Sequence, residues 1–218
     1  MQKDFWLERW QREEIGFHEG VVNTYLVQFW QVLRLDTGSK VFVPLCGKSA
    51  DMQWIRKQGH PVIGVELSSI AVQAFYAENG YVAALGRRDK FGFYDANEIC
   101  ILCGDFFDLK QDDVAGVSAV YDRASMVALP PDMRERYVAH LVSILPPGTK
   151  ILLIAFDYPQ QEMPGPPFAV SSAEVETLYR KHAEISLLAQ MDVLSQNPRF
   201  QQRGLTRLQE SIYLLTLL

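Results

Sequence analysis

Two apolar runs fix most of what this chain can fold into. The first, Val41-Phe-Val-Pro-Leu-Cys-Gly-Lys-Ser49, breaks into a loop at Gly47, and the second, Val62-Ile-Gly-Val-Glu-Leu-Ser68, ends on Glu66, nineteen positions after that glycine. The segment between them has helical spacing. Strand, tight loop, helix, strand, acid is the layout of a ribose-binding nucleotide fold, with a glycine that lets a ligand approach the backbone. A carboxylate at the end of the second strand accepts hydrogen bonds from both hydroxyls of an adenosine ribose, while the first loop lies against the other end of the ligand. The spacing alone also suits a plain turn followed by a solvated strand end, so its neighbours must decide.

Two phosphate-binding motifs fail here. Gly47-Lys48-Ser49 imitates the end of a P-loop, but the glycine required five residues earlier is Phe42. The dinucleotide fingerprint needs three glycines and only Gly47 is available, so nothing is built to cradle a pyrophosphate. An adenosyl group without a phosphate chain fits better, and S-adenosyl-L-methionine is the commonest such cofactor. A nicotinamide-dependent oxidoreductase and a non-catalytic binding domain are the rival readings; the missing glycines disfavour the first, and fold alone does not exclude the second.

The 218 residues, 48% hydrophobic, suit one domain, 1–218, with a full core. Net charge is −5, and basic residues are scattered apart from Arg87, Arg88 and Lys90. Nucleic acid and anionic membrane are therefore not expected partners, whereas a small molecule is. No apolar run approaches a membrane span, and the first residues lack the apolar core of a secretory signal, so a cytoplasmic location and a monomer are expected. Three cysteines do not make a disulfide framework. Cys100 and Cys103 form Cys-x-x-Cys, but on one strand they point to opposite faces and cannot converge on a metal; core cysteines are expected.

Strands are predicted at 41–43, 62–66, 99–103, 119–122, 150–157, 185–194 and 211–218, and helices near 49–58, 69–79, 131–145 and 172–182. This alternation gives an α/β fold with a mainly parallel sheet between helices, in which ligands bind beyond the carboxyl ends of the strands. Those ends carry Leu45, Glu66, Asp105 and Phe106 (an acceptor for an adenine amino group and a flat wall for its ring), and Arg123. The alternatives are a turn aspartate, a core phenylalanine and an ion pair of Arg123 with Asp122 or Asp105. Trp6, Trp10 and Phe17 lie among charges from about residue 3, giving a helix whose aromatic stripe is covered, either packed permanently on the sheet or closing as a lid, 1–20, over a cofactor. Met163-Pro-Gly-Pro-Pro-Phe168 is a stiff apolar loop suited to wall a substrate site.

These residues carry a resemblance. Trp6 with Trp10, Phe17-His18, Pro44-Leu-Cys-Gly-Lys48, Gly64-Val-Glu66, Phe107-Asp-Leu109, Asp122-Arg123, Pro164-Gly-Pro-Pro-Phe168 and Tyr213-Leu-Leu-Thr216 stand in one order from end to end, and together the chain resembles the thiopurine S-methyltransferases. The resemblance implies a Rossmann-like class I S-adenosylmethionine-dependent methyltransferase with a mostly parallel seven-stranded sheet, helices on both faces and a reversed final hairpin. It implies that Trp6, Trp10, Leu45, Glu66, Asp105, Phe106 and Arg123 bind the donor, and that Phe17, Arg123 and Arg199 face the substrate. No catalytic residue is implied beyond possible assistance from Arg123. The implied substrate is a small thiol, aromatic or heterocyclic, such as a thiopurine; bacterial-type members also suggest selenium or tellurium compounds and a role in detoxification.

Overall fold

The computed structural model describes residues 3–16 and 18–218. Contacts group the chain into two units, 1–121 and 122–218. Nine strands occur among the described residues, against the seven expected from sequence.

In the first unit β1 (Lys40–Val43), β2 (Val62–Glu66) and β5 (Ile99–Cys103) are parallel neighbours, with β6 (Val117–Arg123) parallel to β1 on its other side. Every residue of β2 is buried, which is why it reads as a continuous apolar run rather than an alternation. The register pairs Val43 with Gly64 and Glu66 with Cys103, so the strand ends that carry the sequence motifs lie side by side. The added strands are β3 (Ala84–Arg88) and β4 (Phe91–Ala96), an antiparallel hairpin that extends the sheet from β5. All five residues of β3 are exposed, so no buried face imprinted a period-two pattern on its sequence.

Helix α1 spans Lys3–Gln11 and α2 Thr24–Phe29, the latter capped by the Asn23 side chain and too short to show a helical period. Helices α3 (Ala50–Lys57) and α4 (Ser69–Glu78) start where Ser49 and Ser68 accept hydrogen bonds from the amides of Asp51 and Ala71. Both border β2 and β5. Asp51, in the first turn of α3, is buried; its carboxylate accepts from the Asn23 amide at 2.8 Å and the Tyr121 hydroxyl at 3.0 Å, fastening the chain that follows α1 to the parallel strands.

Cys100 and Cys103 are half-buried rather than core residues, a correction to the sequence reading; the buried thiol is Cys46. Strand β5 is flanked on one side by the hairpin, whose outer strand is bare, so its side chains there have less cover. The unbroken register of β5 with β2 keeps the strand alternation and sets the two sulfurs on opposite faces.

In the second unit α5 (Pro131–Ile144) begins with proline in its first turn and ends before Pro146-Pro147-Gly148, where Gly148 takes φ +80°. Strand β7 (Lys150–Asp157) pairs antiparallel with β9 (Gln209–Leu217), which pairs antiparallel with β8 (Ala183–Asp192): the reversed final hairpin. Helix α6 (Ser172–Tyr179) is capped by Ser171, and the short α7 covers Pro198–Gln202. Asp122 is fully buried and accepts from the Tyr137 hydroxyl at 2.7 Å. Burial raises its carboxyl to about 6, with the Tyr137 hydrogen bond opposing.

An aspartate in the unfolded chain titrates near 3.9, so the folded state binds more protons between about pH 4 and pH 6. The stability this group contributes is therefore greatest below that window and is lost through it, by up to about 1.4 kcal/mol per pH unit. In Asp122→Asn this part of the decline is expected to vanish in urea unfolding at pH 4 and pH 7. An identical decline in the variant would assign it to other groups.

Candidate active site

The carboxyl end of β2 is tied to the loop after β1 by three consecutive contacts. The Cys46 amide donates to the Val65 carbonyl at 2.9 Å, and the Gly47 amide donates to Glu66 Oε2 at 2.9 Å. The Cys46 side chain fills the space where Gly64 has no Cβ. To turn the chain this sharply, Leu45 adopts φ +46° and Gly47 φ +53°; the first is a left-handed conformation uncommon in a branched residue, held by the surrounding bonds.

Glu66 is only 6% exposed. Its second oxygen, Oε1, accepts from the Ser68 amide at 2.8 Å, at the start of α4. Burial raises its carboxyl above the ordinary range, and the amides of Ser68 and Gly47 pull it back. Two backbone donors fix the carboxylate plane and leave its other lone pairs for a ligand. An acid held this way accepts well from a vicinal diol and repels a phosphate.

Trp10, also 6% exposed, lies over this loop: its indole edge is 3.4 Å from where a Cβ at Gly47 would stand. Trp6 is half-buried and meets Phe5 edge-to-face at 5.2 Å. Leu45 is half-buried on the same loop. At the neighbouring end of β5, the Gly104 amide donates to the Glu66 carbonyl at 2.9 Å, which sets Asp105 and the buried Phe106 one strand away from the acid. Asp105 caps a short 3-10 turn by accepting from the Phe107 amide at 3.0 Å, and its other oxygen pairs with Lys3 Nζ at 2.5 Å. Helix α1 is thus tied to Gly47 through Trp10 and to Asp105 through Lys3, and it also borders α4.

The first unit accordingly brings together Trp10, Leu45, Glu66, Asp105 and Phe106, with Trp6 one turn before Trp10 on α1. Arg123, half-buried, closes β6 at the start of the second unit. Arg199 lies exposed on α7, its guanidinium 4.8 Å above the Phe200 ring. Phe17 lies outside the described residues. In the second unit the loop after β7 is braced from within. The Tyr158 hydroxyl donates to the Pro167 carbonyl at 2.6 Å, and the Phe168 amide donates to the Val127 carbonyl at 2.7 Å.

Sequence reasoning missed Ser68 as a donor to Glu66, although a serine two residues after a strand-end acid and opening a helix is a usable signal. Lys3 left none, because its partner is more than a hundred residues away. The residues fit an adenosyl sulfonium: a buried anion for the ribose, a flat apolar wall beside an acceptor, and no cluster of cations among the described residues.

The family profile Thiopurine S-methyltransferase (TPMT) matches residues 1–217. A Thiopurine S-methyltransferase of Nitrosospira multiformis is 61% identical over 215 residues, covering 99% of this chain and 98% of that protein. One from Pseudomonas paraeruginosa is 51% identical, with 99% of each covered. Among solved structures, a 1,6-didemethyltoxoflavin-N1-methyltransferase of Burkholderia thailandensis, with S-adenosylhomocysteine bound, superposes with TM-score 0.65 at 14% identity, over 99% of this chain and 86% of that one. A phosphoethanolamine N-methyltransferase 2 of Haemonchus contortus, in complex with S-adenosyl-L-methionine, gives 0.63 at 11% identity, over 88% and 52%. These two likenesses bear on the fold, which is the Rossmann-like class I methyltransferase fold. With its whole length matched in order, the chain belongs to the thiopurine S-methyltransferase family, and its methyl donor is S-adenosyl-L-methionine.

Proposed function

We infer that the protein moves a methyl group from S-adenosyl-L-methionine to the sulfur of a small aromatic or heterocyclic thiol, as its relatives' names state for thiopurines. The observation that carries this reading is Glu66, buried at the end of β2 with its carboxylate held by the Gly47 and Ser68 amides. When bound, the donor supplies an electrophilic methyl group on a positively charged sulfur.

Each residue then has a bounded task. Glu66 accepts from the ribose hydroxyls, Phe106 walls the adenine and Asp105 accepts from its amino group, exchanging part of its bond to Lys3 for that contact. Leu45 and the loop to Gly47 line the methionine end, and Trp6 and Trp10 cover it. Excluding water and holding the donor still are the main contributions the protein can make, because a thiolate is already a strong nucleophile. Alignment of this kind lowers a barrier by several kcal/mol, up to about 7–11 in the best intramolecular cases. No dedicated base is needed for a thiol that ionises near neutral pH. Arg123 and Arg199 are the proposed substrate-side cations. The three cysteines are free thiols, in keeping with a cytoplasmic location.

The test is methyl transfer from labelled donor to a thiophenol, with the matching phenol as control. S-methylated product from the thiol and none from the phenol is expected. No product from any thiol or selenol, despite tight binding of S-adenosylhomocysteine, would reject the acceptor class.

A further inference from the structure

We propose that Cys46 and Gly64 form a steric pair that sets the position of Glu66, which makes Cys46 a positioning residue for donor binding; the inference rests on the donor reading of the site. Three successive residues of β2 each receive one contact from two successive residues of the loop. Gly64 receives the Cys46 side chain, the Val65 carbonyl receives the Cys46 amide at 2.9 Å, and Glu66 Oε2 receives the Gly47 amide at 2.9 Å. The loop is therefore zipped along the strand end, and a shift at the first contact is transmitted to the third.

The first contact is the one with no slack. A methyl group at Gly64 would stand 2.7 Å from Cys46 Sγ, with Met52 Sδ at 3.3 Å and Ile101 Cγ1 at 3.4 Å. The methionine can yield by turning its flexible end, whereas Cys46 sits on a loop pinned at both sides. Gly64 is buried within β2 and has no positive φ to account for it, so a close approach is the reason for glycine there. The thiol itself is chemically quiet. It is buried, and that burial together with the neighbouring Glu66 carboxylate holds its ionisation well above the ordinary thiol range. It contacts the Gly47 carbonyl only at 3.7 Å. What the site takes from Cys46 is volume: large enough to seat the loop, small enough to lie on a bare Cα.

The consequence is specific. Extra volume on either side of the pair lifts the loop, draws the Gly47 amide from Glu66 and lets the carboxylate leave its set plane, so that the ribose is read less well. Calorimetric titration of S-adenosylhomocysteine and its 2′-deoxy analogue into wild type, Gly64→Ala, Cys46→Ala and the double variant tests this. Gly64→Ala is expected to bind S-adenosylhomocysteine about tenfold more weakly, the usual scale of one misplaced methyl in a packed site. Its preference for the ribose over the 2′-deoxyribose ligand is expected to shrink. Adding Cys46→Ala should recover most of both losses, because the colliding atom is gone. A role in stability alone would lower the melting temperature and leave the preference between the two ligands unchanged.

The pair is refuted if Gly64→Ala keeps wild-type affinity and preference, or if the double variant is no better than Gly64→Ala. Should Gly64→Ala fail to fold, Cys46→Val applies the same push from the loop, and an unchanged ligand preference there refutes the pair equally. A wild-type protein that binds neither ligand refutes the donor reading and this proposal with it. Wild type that binds while the variants behave identically to it refutes the pair alone.

Discussion

Glu66→Ala is expected to bind S-adenosylhomocysteine about 100-fold more weakly than wild type, with a melting temperature nearly unchanged. The two effects separate because the carboxylate has opposing roles in the empty and the loaded protein. In the proposed role it accepts from two ribose hydroxyls in the loaded protein, each such bond to a charged group contributing about 1.5–3 kcal/mol net of the exchange with water. Two bonds at the low end of that range give about 3 kcal/mol, on the order of a hundredfold. In the empty protein the same carboxylate is 6% exposed and its ionised form is disfavoured by burial. Its bonds to the Gly47 and Ser68 amides offset that cost without a large surplus.

Glu66→Gln keeps the volume and removes the charge, and is expected to lie between, at about a tenfold loss. It also gives the pH dependence. The bound state needs the ionised acid, and burial moves its protonation above the ordinary glutamate value near 4.3, so affinity falls earlier on acidification than an ordinary glutamate would allow. Glu66→Gln should lack that fall. Unchanged affinity in Glu66→Ala would remove the ribose role altogether.

Trp10→Ala is the second large effect: a rise of about 30-fold in the dissociation constant and a smaller fluorescence change on ligand addition. Truncating a buried tryptophan costs about 3–5 kcal/mol in a closed core. Here the cost falls partly elsewhere, because Trp10 is the one buried residue of α1 and anchors that helix over Gly47. A helix so held undocks locally before the whole protein unfolds. Global stability should therefore move by less than that range, while amide exchange across α1 quickens. The Lys3 pair, with the lysine side chain 61% exposed, contributes under about 1 kcal/mol and cannot substitute for the indole. Unaltered titration and unaltered exchange would return Trp10 to a passive packing role.

What could be read from sequence follows from which residues carry a buried pattern. Strands β2, β5 and β7 were predicted to the residue, because a wholly or largely buried strand writes an apolar run with sharp ends. Helices α3 and α4 lie within a residue of the bounds predicted for them. The hairpin β3–β4 was invisible for the converse reason: Ala84–Arg88 is wholly exposed, and Gly86 and the arginines read as loop. Strand β8 was placed two residues late, since it is an outer strand with a register irregularity at Leu187 and Ala189 that blurs its alternation.

Within the site, residue types were legible and their pairings were not. The spacing of Gly47 and Glu66 suggested that both face one ligand, and the structure adds that they bond to each other. Asp105 was read as an adenine acceptor or a turn aspartate; it caps a short turn, and its pairing with Lys3, more than a hundred residues away in sequence, could not be read. Gly64 carried no special signal inside its strand, although it sets the closest approach in the loop. Local runs record burial; contacts between distant side chains leave no mark on either neighbourhood.

The central claim is that the adenosyl donor is held by its sugar on Glu66 beneath α1. Its most direct test is a crystal structure of the protein with S-adenosylhomocysteine. The account predicts both ribose hydroxyls within hydrogen-bonding distance of the Glu66 carboxylate and the Trp10 ring covering the amino-acid end. A ribose held by any other residue, with Glu66 turned away from it, would contradict the account.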